Sequence, residues 1–204
     1  MELREALVQI SQIRQQVAQT EMFRGYRAVP VAFSGGVALI AAGIQVGLIP
    51  EPALNIGAYI ALWTGAAVLS ILATGWEMAW HLRRSGSALE REKLFVAVSQ
   101  FLPALVAGAL LTIVLVRFAS DAVWMLPGLW AVLFGLGIFA SWRFLPPSIV
   151  WIGVWYLMAG LVTLIWAQGE AAFSPWAMGL PFGIGQLSAA AILYWTLERT
   201  DGQE

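Results

Sequence analysis

The sequence predicts an all-α polytopic membrane protein, with six transmembrane helices preceded by a cytoplasmic amphipathic helix. Three observations carry that expectation. The 204 residues are 60% hydrophobic and only 11% charged, against about 45–50% and ~25% in soluble domains. Six apolar stretches, each near the length of about 20 residues that a bilayer core requires, contain no Asp, Glu, Lys or Arg. Lys and Arg gather in alternate connections between those stretches. This composition excludes a soluble globular enzyme, a disordered chain and a nucleic-acid-binding domain with a basic face. A net charge of −1 gives no long-range field to steer an acidic partner. The absence of cysteine excludes disulfides, thiolate catalysis and cysteine metal sites.

Residues 1–27 form the first unit. Leu3, Leu7, Ile10, Ile13 and Val17, joined by Ala6, fall on one helical stripe, with Glu5, Gln9, Gln12, Gln16 and Gln19 outside it. A helix lying on lipid usually has a basic polar face; this one is glutamine-rich and nearly neutral. The stripe therefore suits docking on a partner, or on the protein's own loops, as well as on lipid. Phe23-Arg24-Gly25-Tyr26-Arg27 then mixes aromatics with arginine, as a headgroup anchor does.

The six-helix bundle occupies 28–197, with expected spans at 29–49, 53–76, 94–116, 123–141, 148–168 and 176–195. The first is too long for a signal-peptide core and reads as a retained span. Pro50-Glu51-Pro52, the charged stretch from His81 to Lys93, and breaks near 117–121, 143–147 and 168–175 separate the spans. Ten of the 11 Lys and Arg residues fall on one side and only Arg117 on the other, which places both termini, including a short tail at 198–204, in the cytoplasm. Eight of the 11 tryptophans lie at span ends, where an indole keeps its N–H wet. Trp63, Trp130 and Trp155 lie deeper and call for a packing or a ligand explanation.

Small residues four apart mark helix contact faces in lipid. Gly57, Ala61 and Gly65 make such a ridge; Gly43/Gly47, Ala104/Gly108, Ala131/Gly135 and Gly179/Gly183 repeat the spacing, and Gly153 and Gly160 lie seven apart. An internal repeat is also visible. Gly43-Ile44, Pro52, Gly57, Tyr59 and Gly65 parallel Gly137-Ile138, Pro146, Gly153, Tyr156 and Gly160, and Leu102-Pro103 parallels Leu180-Pro181. The match is loose: its spacings drift by one to three residues, and Leu-Pro recurs at Leu126-Pro127 and Leu145-Pro146; a true repeat of three spans per half would give the halves opposite orientations.

Little in the sequence carries chemistry. Glu77 and His81 share a helix face with Arg84 close by, a cytoplasmic polar cluster that reads as an interfacial ion-pair group rather than a metal site. The deep polar groups are neutral: Gln45, Thr64, Gln100, Thr112, Thr163, Gln186 and Ser188. Gln186, following Pro181, Gly183 and Gly185, and Gln100, one turn before Pro103, are the candidate ligand or helix-contact residues. Neither has a charged partner at its depth, and no second polar group is expected to be fixed beside Gln186. No catalytic residue, metal or cofactor is expected.

Phe23-Arg24-Gly25-Tyr26-Arg27, Gln100-Phe101-Leu102-Pro103, Leu126-Pro127-Gly128-Leu129-Trp130 and Leu180-Pro181-Phe182-Gly183-Ile184-Gly185-Gln186 are spread over most of the chain. Through these segments the chain resembles a family of six-helix bacterial inner-membrane proteins that has no assigned activity. The resemblance implies location in the bacterial inner membrane and carries over no functional residue. The expected function is that of a non-enzymatic accessory, scaffold or regulatory subunit of a membrane complex. Its expected partners are lipids together with other membrane subunits or a second copy, and no nucleic acid. A small transporter or binding protein for an uncharged lipophilic molecule is one alternative. A pigment- or quinone-associated subunit that stacks its ligand on the deep tryptophans is another.

Overall fold

The computed structural model describes residues 28–85 and 88–198, so the N-terminal stripe and the last six residues lie outside it. Helices α1 (Ala28–Leu48), α2 (Ile56–Ser85), α3 (Ala88–Phe118), α4 (Leu126–Ser141), α5 (Val150–Trp166) and α6 (Pro175–Leu193) follow one another, with no strand among the described residues. Taken with the short 3-10 turns that lead into α4 and α5, all six are long and apolar enough to cross a membrane.

Local chemistry sets their ends. Pro50 and Pro52 disfavour helical backbone before them, and α1 stops at Leu48. Asn55 caps α2, its Oδ1 accepting from the Ala58 N–H at 3.3 Å. Pro127 and Pro175 sit in the first turns of α4 and α6, where a missing N–H costs nothing. Gly169, at φ 61°, opens the short turn Gly169–Phe173 between α5 and α6 in a conformation that other residues avoid. The charged stretch after residue 76 does not end its helix. No proline or glycine occurs from Trp76 to Ser85, and α2 continues to Ser85 while α3 starts already at Ala88. At 30 and 31 residues, these two helices are about 45 Å long, well beyond a hydrocarbon core of about 30 Å.

The helices form two groups of three. In one, α1 lies between α2 and α6; in the other, α4 lies between α3 and α5. The α1–α6 and α4–α5 seams are the most extensive, and glycine explains both. A Cβ on Gly160 would lie 2.6 Å from the Gly128 carbonyl oxygen, and one on Gly179 would lie 2.6 Å from the Ala42 Cβ. Backbones this close exclude any side chain. The groups meet where α6 touches α5 and, less, α4. Phe182 fills that junction, its ring centroid 5.1 Å from Tyr156 and 5.5 Å from Phe134. The outer helices α2 and α3 bury little, 11% and 6% of their most apolar stretch against 44% for α4 and α6.

Two expected contact faces, the α2 ridge and the Gly43/Gly47 pair on α1, are not used. Gly57, Ala61 and Gly65 are exposed, and Gly57, Gly65, Gly43 and Gly47 have nothing within 4 Å of an added Cβ. The reason lies on the opposite face of α2, where fully buried Tyr59 and nearly buried Trp63 pack against Ala38, Ala41 and Ala42. Two aromatic rings and an indole hydrogen bond give more contact than a bare ridge does.

Candidate functional site: a neutral polar network

Gln45 is the centre of the polar interior. Ala38, Ala41, Ala42 and Gln45 follow helical spacing along one buried face of α1, so the amide is carried straight into the bundle. Gln45 is completely enclosed. Its Oε1 accepts from the Trp63 Nε1–H of α2 at 2.8 Å, and its Nε2 donates to the Phe173 carbonyl in the α5–α6 connection at 2.6 Å. One side chain thus ties three segments together.

The other deep tryptophans follow the same rule. Trp130 Nε1 on α4 donates to Thr112 Oγ1 on α3 at 2.9 Å, and that hydroxyl donates in turn to the Gly108 carbonyl at 2.7 Å. Trp155 Nε1 on α5 donates to the Pro181 carbonyl on α6 at 3.0 Å. All three deep indoles therefore spend their N–H groups on neighbouring helices, which favours the packing explanation.

Gln186 lies partly buried on α6, with its Cβ next to Gly35 of α1. The Tyr156 hydroxyl of α5 donates to the Phe182 carbonyl of the same helix as Gln186, 3.5 Å away. Gly185 makes this possible, since a Cβ there would lie 2.6 Å from the Tyr156 ring. Gln100 does not join the site; its Oε1 is buried without a hydrogen-bond partner on α3, a helix that packs on α4. The Tyr59 hydroxyl on α2 is likewise buried without a partner.

Of the cytoplasmic cluster, Glu77 is half-buried on α2, while the side chains of His81 and Arg84 lie outside the described residues. The stripe Leu3, Leu7, Ile10, Ile13 and Val17 lies outside them too. Among the described residues, no three His, Cys, Asp or Glu side chains gather as a metal site would require. The network therefore offers neutral donors and acceptors that fix helix register. It carries no charge into the interior.

The chain matches no family model, and neither a curated protein nor a solved structure matches it. Its class rests on its own architecture: an all-α bundle of six helices fit to span a membrane.

Proposed function

We propose that this chain is a non-enzymatic protein of the bacterial inner membrane, with both termini cytoplasmic, acting as an accessory, scaffold or regulatory subunit of a larger membrane assembly. The observation that carries this reading is the open ridge of Gly57, Ala61 and Gly65 on α2. Gly128, Gly135, Gly160, Gly179 and Gly183 make close helix contacts inside the bundle, and this open ridge offers the same kind of surface to a helix of another chain. A polar interior built to hold register, rather than to bind an ion, fits the same role. The N-terminal stripe would supply a second docking element on the cytoplasmic side.

The test is native mass spectrometry of gently extracted protein, with and without Gly57→Leu and Gly65→Leu. A companion chain or second copy that is lost in the double variant, with the bundle still folded, supports the reading. A lone chain before and after substitution refutes it. A second reading, a small transporter for an uncharged lipophilic molecule, draws support from Pro181 and the glycines that precede Gln186 on α6.

A further inference from the structure

Only 6% of the most apolar stretch of α3 is buried, the smallest share among the six spans. The helix packs on α4 through Phe101, Ala104 and Gly108, which lie against Gly137, Leu133 and Trp130. On its open flank Gln100, Pro103, Ala107, Leu110 and Val114 recur at alternate spacings of three and four residues. This is the 3.5-residue period by which one helix presents a continuous seam to another. The last four residues are exposed, and Gln100 is half-buried at the edge of the contact with α4.

Gln100 is out of place on such a helix. It lies five residues, or about 7.5 Å, inside the span that begins at Phe95. Its Oε1 is buried and accepts no hydrogen bond from any described residue. A buried acceptor left unpaired is costly, and lipid supplies no water to relieve it. Gln45, by contrast, spends both ends of its amide on neighbouring segments. The terminal torsion of a glutamine is broad, so the Gln100 amide can turn its oxygen toward the open flank.

We propose that two copies of this chain associate through α3, side by side and in the same orientation, with their Gln100 amides meeting across a two-fold axis normal to the membrane. A primary amide is its own complement: the Nε2–H of each copy donates to the Oε1 of the other. The symmetry brings both groups to the same depth, whereas a different partner needs a polar group placed there. Ala107, one heptad along, lets the two helices come close beside the pair. No charge enters the seam before Arg117, in the last turn of the helix. A single amide in an apolar seam also fixes register, as a buried polar residue does in a coiled coil. The contact uses a different helix from the Gly57 ridge and stands or falls without it.

The chain has no cysteine, so single cysteines report the contact. Ala107→Cys should form disulfide-linked dimers in native membranes, and Ala109→Cys, exposed on another face of α3, should not. Energy transfer between copies labelled at the exposed position Glu51→Cys, followed in liposomes as lipid is added, gives the dimer dissociation constant. Gln100→Leu should raise it about eightfold, the worth of two interhelical hydrogen bonds of average strength. Gln100→Asn, which keeps the amide, should recover part of that loss. Because Gln100 Oε1 has no partner within the chain, Gln100→Leu should leave the melting temperature level or higher. If that variant does not purify as a monodisperse protein, Ala107→Trp replaces it and should raise the constant as well. Equal cross-linking from both cysteines, or none from Ala107→Cys, overturns the proposal. So does association that Gln100→Leu leaves unchanged; if Gly57→Leu with Gly65→Leu then abolishes it, the α2 ridge is the contact instead.

Discussion

Replacing Gln45 with leucine tests the polar network at its most connected point. The substitution keeps much of the volume and deletes both bonds, leaving the Trp63 N–H and the Phe173 carbonyl without this partner in the buried interior. An interhelical hydrogen bond within a membrane is worth about 0.6 kcal/mol on average and at most about 1.7. These two involve a completely enclosed amide at 2.8 and 2.6 Å, and each stranded group adds toward a desolvation cost of about 1–3 kcal/mol. A loss of about 2–3 kcal/mol follows. Reversible unfolding in mixed micelles, or steric trapping in bicelles, measures it. In a Trp63→Phe background the same substitution removes only the Phe173 bond, so the double-mutant cycle should show a coupling of about 1 kcal/mol. A cycle with no coupling, or a Gln45→Leu variant within about 0.5 kcal/mol of wild type, would show that the network does not set helix register.

Tyr59→Phe and Tyr156→Phe should act in opposite directions when unfolding is measured under the same conditions. The first removes an unpartnered hydroxyl and should stabilise by about 1 kcal/mol, while the second loses the bond to the Phe182 carbonyl and should destabilise by about 0.6. Gly160→Ala forces a Cβ to within 2.6 Å of the Gly128 carbonyl and should cost about 1–3 kcal/mol in that assay; Gly57→Ala meets nothing and should stay within about 0.5. Cysteines placed at Glu51 and Glu170 should react with an impermeant reagent from outside intact cells, and one at Ser87 should not. The reverse pattern would refute the orientation read from Lys and Arg. Ile10→Asp with Val17→Asp should reduce co-purification of a partner while leaving yield unchanged, and an undiminished complex would remove the stripe from the docking role.

Span number and position were legible because uncharged runs of bilayer length have few other readings. The helix limits of α2 and α3 were not. Charge marks where a chain leaves lipid, whereas a helix ends where its backbone is interrupted, and nothing interrupts α2 between Trp76 and Ser85. The interior was half legible. Its neutrality and its deep tryptophans are plain in the sequence, but a neighbouring proline and glycines single out Gln186, and composition alone does not separate Gln45 from the other polar residues. What distinguishes Gln45 is its place in line with Ala38, Ala41 and Ala42, the small residues that mark the buried face of α1. The glycine ridge of α2 misled for a related reason. Spacing shows that close approach is permitted, and the competing face with Tyr59 and Trp63 decides where the neighbouring helix lies.

The three indole hydrogen bonds follow a single logic. Each crosses one consecutive helix pair: Trp63 to Gln45 joins α2 to α1, Trp130 to Thr112 joins α4 to α3, and Trp155 to Pro181 joins α5 to α6. In water, burial of apolar surface would hold such pairs together and tolerate some sliding. In lipid the apolar faces are solvated as well apart as together, so directional bonds and close backbone contacts must set the register. The first two pairs use a side-chain acceptor 18 residues from the tryptophan, and a single substitution on either helix can remove them. The third uses a backbone carbonyl at a proline within α6, which only loss of the tryptophan or movement of the helix can take away. The α5–α6 joint is thus the one whose acceptor no side-chain substitution on the partner helix can delete.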